Sequence, residues 1–271
     1  MRLSQKIFSP VANNGIRIRT FGFYLGPVRL LFVVLLFGYF VMGCAPVYIP
    51  TTHNAPLFSG KGEIQTAVTA GPGVNAQAAY ALSDHIGITA NYLYMRREYS
   101  KNGKKHQAAE FGLGYYKNFN DNWCFEAFSG YGFGKGSAYD SVYTYGLNLP
   151  PPFPTSSDRY EARGKYNKIF LQSSVGFRKG YATFFISGKV NLVGYESIRI
   201  VHNNEQQQVR HPWIDYFSFV HGGRFRFVSD KLFFQYQAGF NVPISRNPEY
   251  DFDGLIGSVG FVFIPTLKQQ E

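Results

Sequence analysis

Asp215, Ser218 and His221 follow one another at intervals of three, and a Ser/His/Asp set is the grouping that makes a hydroxyl nucleophilic. In an extended strand, side chains alternate between faces. Ser218 and His221 therefore fall on opposite faces, and only Asp215 and His221 share one. A nucleophile must lie within hydrogen-bond reach of its base, so this spacing argues against a relay. His202, Glu205 and His211 supply metal-binding donors without any diagnostic ligand spacing, and a solvated loop is the simpler reading. Cys124 reads as a small packed residue. There is no Gly-rich phosphate loop, no CxxC pair and no nucleophile elbow. The expectation is a chain with no catalytic residue, no metal site and no cofactor, and not an enzyme.

The 271 residues carry a formal charge of +10, which could point to nucleic acid. Half of that excess sits in residues 1–43, where Arg2, Lys6, Arg17, Arg19 and Arg29 face no acid. The basic stretch runs into an apolar stretch, residues 30–43, too short for the roughly 20 residues of a spanning helix. A basic region, a short apolar core and a small residue at the cut describe a secretory signal. Nucleic acid is thereby dropped as a partner. The remaining chain is poor in charge, 16% over the whole sequence, and rich in Gly and aromatics, with 27 Phe and 20 Tyr. That composition favours strands.

From Gly62 onward the apolar residues alternate. Ten strands are expected, near 62–71, 74–82, 86–98, 107–118, 122–134, 165–178, 181–195, 212–227, 231–242 and 254–264. Ala182, Phe184, Ile186, Gly188, Val190 and Leu192 fall on one face, opposed by Thr183, Phe185, Ser187, Lys189 and Asn191. The polar faces are rich in Gly, Ser, Gln and Asn, and Tyr92, Tyr94, Tyr115, Trp123, Trp213 and Tyr216 stand near strand ends, as in an interfacial girdle. Connections alternate between short (83–85, 119–121, 179–180, 228–230) and long (99–106, 135–164, 196–211, 243–253), with 71–73 the exception. The predicted fold is all-β: a closed antiparallel up-and-down transmembrane barrel of about ten strands, eight being the alternative, after a cleaved signal peptide. An even strand number places both termini on the short-turn side.

Val41-Met42-Gly43-Cys44 resembles the lipobox of bacterial lipoproteins, with Met42 where a small residue is usual. The resemblance implies cleavage before Cys44 and a covalent diacylglycerol and acyl chain (palmitate-type) on its sulfur and new amino terminus. Cys124 would then lack an intramolecular partner. Lipobox, Pro-containing segment and amphipathic strands ending in Val259-Gly260-Phe261-Val262-Phe263-Ile264 together resemble a small outer-membrane β-barrel lipoprotein of Gram-negative bacteria. The resemblance implies a lipid-anchored, membrane-spanning place in the cell envelope and names no activity. The organisation is then 1–43 signal peptide, 44–61 lipidated tether, 62–265 barrel and 266–271 polar tail.

Several charges project toward the expected lumen: Glu63, Glu110, Glu126, Lys168 and Lys189, with Arg224 and Arg226 if Gly222-Gly223 hosts a bulge. Opposite charges in a narrow interior must pair, so a plugged lumen is expected rather than a selectivity ring. In the 135–164 loop, Tyr139, Tyr143, Tyr145 and Tyr160 flank a Pro-rich run and suit outer contact. The functional expectation is a structural, envelope or surface-contact role, with outer-membrane lipid and an envelope protein as partners. A lipid-modifying outer-membrane enzyme and a narrow pore for small solutes are the alternatives.

Overall fold

The computed structural model describes residues 48–98, 102–145, 154–202, 205–210, 213–244 and 254–265. The side chains of 140–145 and 154–160 lie outside that description, as does Cys44. Among the described residues there is no helix. The strands are β1 (Ile64–Ala70), β2 (Val74–Ala81), β3 (Ile86–Glu98), β4 (Asn102–Asn118), β5 (Trp123–Tyr145), β6 (Pro154–Lys179), β7 (Ala182–His202), β8 (Glu205–Arg210), β9 (Trp213–Phe227), β10 (Ser229–Pro243) and β11 (Leu255–Phe263).

Each strand pairs antiparallel with its neighbours, and two contacts close the ring. Thr66 to Ala70 of β1 pair with Phe263 to Val259 of β11. β7 pairs with β6 on one side and β9 on the other. β8 pairs only with the upper end of β7, from Ser197↔Arg210 to His202↔Glu205. It therefore continues the line of β9 rather than adding a stave. The result is a closed antiparallel barrel of ten staves.

The alternation that builds these strands is complete in β1, β2 and β3, where buried and exposed residues alternate position by position until β3 nears its end. Here the apolar set faces outward. Val68, Phe111, Leu113, Ile169, Leu171, Ile186, Val259 and Phe261 are all exposed on the outer wall. Gln65, Gln77, Gln172, Ser174, Gln235 and Gln237 are buried inside. A water-soluble sandwich has the reverse arrangement.

The two mouths differ. At one, the connections are short: 82–85, 119–122, 180–181 and Val228. At the other lie 71–73 and the strand ends Glu98, Asn102, Tyr145, Pro154, His202, Glu205, Pro243 and Leu255, and β4 to β7 project well past the ends of β1 and β2. Much of the expected loop sequence is thus strand. The 135–164 stretch is a hairpin whose ladder runs to Tyr145↔Pro154, and 196–211 is largely the β7–β8 hairpin. Alternation of apolar and polar residues stops where the outer face turns polar, but the hydrogen-bond ladder does not need it to continue.

Candidate functional site

The lumen is filled by the chain's own residues 48–58, every one of them buried. These residues fall within the 44–61 segment expected as an extended tether, and they form a strap running the length of the interior. Tyr48 packs with Leu93, Met95, Ala108, Tyr166, Val193, Tyr195, Ile214 and Tyr216, near the mouth with the long connections. Phe58 packs with Ala79, Ala81, Tyr116 and Phe128 at the short-turn mouth. Between them, Ala55 and Leu57 cover Cys124 and Phe185, so Cys124 is indeed a packed residue. Burying Ile49, Leu57 and Phe58 contributes roughly 1.5–3 kcal/mol each. Pro50 and Pro56 favour an extended strap around the polar run Thr51 to Asn54, and no strand pairs along it to satisfy its main chain.

Lumen side chains do that instead. Arg224 donates to the carbonyls of Ala55 and Pro56, the latter at 2.8 Å. Gln172 donates to Asn54 O at 2.7 Å, and Gln237 to His53 O at 2.8 Å. Gln77 also reaches His53 O, at 3.2 Å, and Gln65 reaches Pro56 O at 2.7 Å. Arg178 bonds the carbonyls of Leu57 and Phe58. In the other direction, Leu57 N donates to Glu126 at 2.8 Å, Ser59 N to Glu63 at 2.7 Å and His53 N to Gln237 at 3.2 Å. Leu57 sits at φ 55°, a left-handed backbone that costs an L residue about 1–2 kcal/mol. Glu126 on its N–H and Arg178 on its carbonyl hold it there.

The expected charge network separates into parts. Glu110, Lys168 and Lys189, on β4, β6 and β7, form a buried triad at mid-barrel. Glu110 pairs with Lys168 and, at 2.7 Å, with Lys189. Its carboxylate also accepts from Thr51 of the strap and from Asn91 at 3.2 Å. Lys168 donates to the Tyr48 hydroxyl at 3.2 Å, and the Lys189 ammonium stands 4.4 Å from the Phe170 ring centroid. Gly132 lies between Glu110 and Lys168 across the β4–β5–β6 ladders. A Cβ there would meet the Cγ atoms of both at 3.1 and 3.2 Å, so the absence of a side chain gives the pair its room.

Glu126 and Glu63 are buried but serve strap amides rather than this triad. Arg224 faces the lumen in regular register, without the bulge expected at Gly222-Gly223; the irregularity falls between Ser229 and Phe233. Arg226 is not a lumen residue. It pairs with Asp230 at 2.7 Å and covers the Tyr181 ring at the short-turn mouth.

Ser218 is buried inside and bonds Asn241, whereas His221 is exposed on the outer wall beside Tyr236. The two lie on opposite sides of the sheet, as the spacing required. Tyr139, Tyr143, Tyr145 and Tyr160 are on strands β5 and β6, not in a loop. The Tyr139 ring lies over Gly103, and the other three side chains fall outside the described residues, as does His211. Among the described residues no three His, Cys, Asp or Glu side chains gather in a way that could hold a metal. The void beside Asn54, Gln65, Gln77 and Arg224 measures about 10 Å³, enough for about one water.

No family model matches this chain, and no curated protein matches it. Solved structures do resemble it. The outer membrane protease OmpT from Escherichia coli aligns over 76% of this chain and 94% of its own, with 11% identity and a TM-score of 0.49. The translocator domain of the autotransporter NalP from Neisseria meningitidis aligns over 78% and 89%, with 12% identity and a TM-score of 0.44. Acinetobacter baumannii CarO2 aligns over 75% and 98%, with 10% identity and a TM-score of 0.37. The barrel assigned here rests on strand pairing, and none of these similarities transfers a residue role.

Sequence reasoning found the lumen charges but missed the strap. A signal was present: Tyr48, Ile49, Leu57 and Phe58 are apolar residues that a solvated tether has no use for.

Proposed function

We propose that this protein is an outer-membrane β-barrel lipoprotein with a structural or surface-contact role, its lumen sealed by its own strap. The observation that carries this reading is the inverted wall. The outside is apolar, the inside is polar, and the inside is full. Only a closed barrel or a helix satisfies its backbone groups in lipid, and an apolar belt flanked by Trp123 and Tyr115 at one mouth and Trp213 and Tyr94 at the other matches the girdled band of such barrels. A filled lumen disfavours the narrow pore. The separation of Ser218 from His221 disfavours the enzyme.

Lipidation at Cys44 belongs to this reading, on the strength of the lipobox, and the strap changes where the lipid goes. Both ends of the sheet, Ile64 and Phe263, do lie at the short-turn mouth. Tyr48, however, lies near the opposite mouth. Four residues reach at most about 14 Å, and the lumen beneath Tyr48 is occupied. The acyl chains therefore enter the leaflet beside the long connections, not the one beside the short turns.

Epitope tags test this directly. A tag between Pro46 and Val47 should respond to antibody on intact cells in the same way as one in 146–153, and oppositely to one at 120–121. Response with the 120–121 tag would overturn the threaded anchor. Loss of incorporated alkyne-fatty acid in Cys44→Ala tests the acylation, and heat-modifiable gel mobility tests the membrane barrel. Conductance steps from the intact protein in planar bilayers would restore the pore.

A further inference from the structure

Besides Arg97↔Lys104, three pairs of like charges on the outer face oppose each other directly across neighbouring strands: Arg96↔Lys105, Lys135↔Lys165 and Arg163↔Arg199. All six side chains are exposed on the outer wall, over five consecutive strands, β3 to β7. Like charges directly opposite each other destabilise a sheet. Arg96 is offset by Glu98 at 3.0 Å, and Arg163 by Glu161. Lys105, Lys135, Lys165 and Arg199 form no ion pair among the described residues. A sheet that retains this arrangement gains from an anion brought in from outside.

Directly beneath the patch, toward mid-barrel, the wall is hollow. The rungs on β5 and β6 descend from Lys135↔Lys165 to Phe133↔Asn167 and then Tyr131↔Ile169. On β7, Glu196 has no partner in the ladder, since Lys165 pairs with Ser197 and Tyr166 with Tyr195. Gly194 follows opposite Asn167 and contributes no side chain. The result is a groove of about 350 Å³ bordered by Tyr131, Asn167, Ile169, Leu192, Gly194 and Trp213, with Glu196 at its rim. Trp213 is exposed and stands at the level where an interfacial aromatic belongs. An apolar groove that opens sideways under a cluster of cations has the shape of an amphiphile.

We infer that this face binds a phosphate-bearing lipid of the leaflet beside the long connections, its headgroup on Lys135, Lys165, Lys105 and Arg199 and one acyl chain in the groove against Trp213. The inference rests on the membrane reading proposed above. Glu196 is the opposing charge, and it sets the sign of one arm of the test.

The chain has two tryptophans, Trp123 and Trp213, so in a Trp123→Phe background Trp213 alone reports on the groove. The mature protein is reconstituted into mixed vesicles of phosphatidylglycerol and phosphatidylcholine, with either lipid brominated in turn. Bromine quenches Trp213 when the lipid against the ring carries it, so a difference in quenching between the two lipids reports which of them occupies the groove. Quenching should favour phosphatidylglycerol about fivefold, the effect of roughly one effective surface cation. The preference should vanish in Lys135→Gln/Lys165→Gln, increase in Glu196→Gln and shrink with salt. Heat-modifiable mobility confirms that each variant is folded. Inorganic phosphate, matched in ionic strength to a chloride control, should leave the quenching unchanged. Displacement by phosphate alone would assign the patch to a free anion and overturn the lipid site. Equal quenching by both lipids, or a preference untouched by the double substitution, would also overturn it. No quenching by either lipid in a folded protein would instead remove the membrane reading beneath it.

Discussion

Replacing Glu110 with Gln tests the centre of the barrel. The carboxylate is 1% exposed and its two lysines are each 2% exposed. The substitution keeps the shape and removes the only acid of the triad, leaving two ammonium groups in a closed interior. Breaking a buried pair by removing one partner costs about 3–5 kcal/mol. One change strands two partners here, so the expected loss lies at the upper end, about 5 kcal/mol. The Phe170 ring under Lys189 and the Tyr48 hydroxyl on Lys168 remain and offset part of it. Against a total stability of about 5–15 kcal/mol, that is a third or more. The assay is urea unfolding in lipid vesicles, followed by tryptophan fluorescence and by the gel shift of the folded barrel. The companion variant replaces Glu110, Lys168 and Lys189 together with Met. Removing the whole triad should restore most of the loss, to within about 2 kcal/mol of the parent, because the desolvation cost disappears with the charges. A Glu110→Gln variant within 1 kcal/mol of the parent, or a triple variant as unstable as the single one, would refute the reasoning.

Arg224→Gln should loosen the strap at Ala55 and Pro56, with charged hydrogen bonds at about 1.5–3 kcal/mol each; protease cutting within 48–58 and new conductance steps in planar bilayers are the readouts. Gly132→Val should wedge Glu110 from Lys168 and cost about 1–3 kcal/mol in the same unfolding assay. Val228 turns the β9–β10 corner at φ 61° with 91% of its surface exposed, so Val228→Gly should raise stability by about 1 kcal/mol by relieving that conformation.

The strands were legible wherever the outer face is apolar and the inner face polar, since the period of two then has a physical cause. All ten staves follow from it. The upper parts of β5 and β6 were not legible, because beyond Lys135 and Lys165 the outer face carries charged and polar residues and the buried inner positions are small, such as Gly136, Ala138 and Ala162, so residue type no longer alternates with facing. Glu110, Lys168 and Lys189 were legible as inward charges because each stands between neutral neighbours on the inward face of its strand, but which charges pair was not. The strap could not, because an extended segment held by side chains rather than by a partner strand has no period to read. The place of Tyr48 at the mouth opposite the start of β1 was not legible for a related reason. Strand parity fixes where β1 begins and says nothing about the residues before it.

The strap also dictates an order of events. It precedes β1 in the chain and occupies the space that β1 and β11 enclose when they meet. On the lipoprotein reading its far end carries acyl chains, which are too bulky to be drawn through a finished ten-stave ring. The ring must therefore be cast around the strap, with the five-residue seam from Thr66↔Phe263 to Ala70↔Val259 as the last joint to form. Main-chain contacts such as Arg224 on Ala55 and Glu126 on Leu57 would then guide assembly, with the strap as the mandrel on which the staves are gathered.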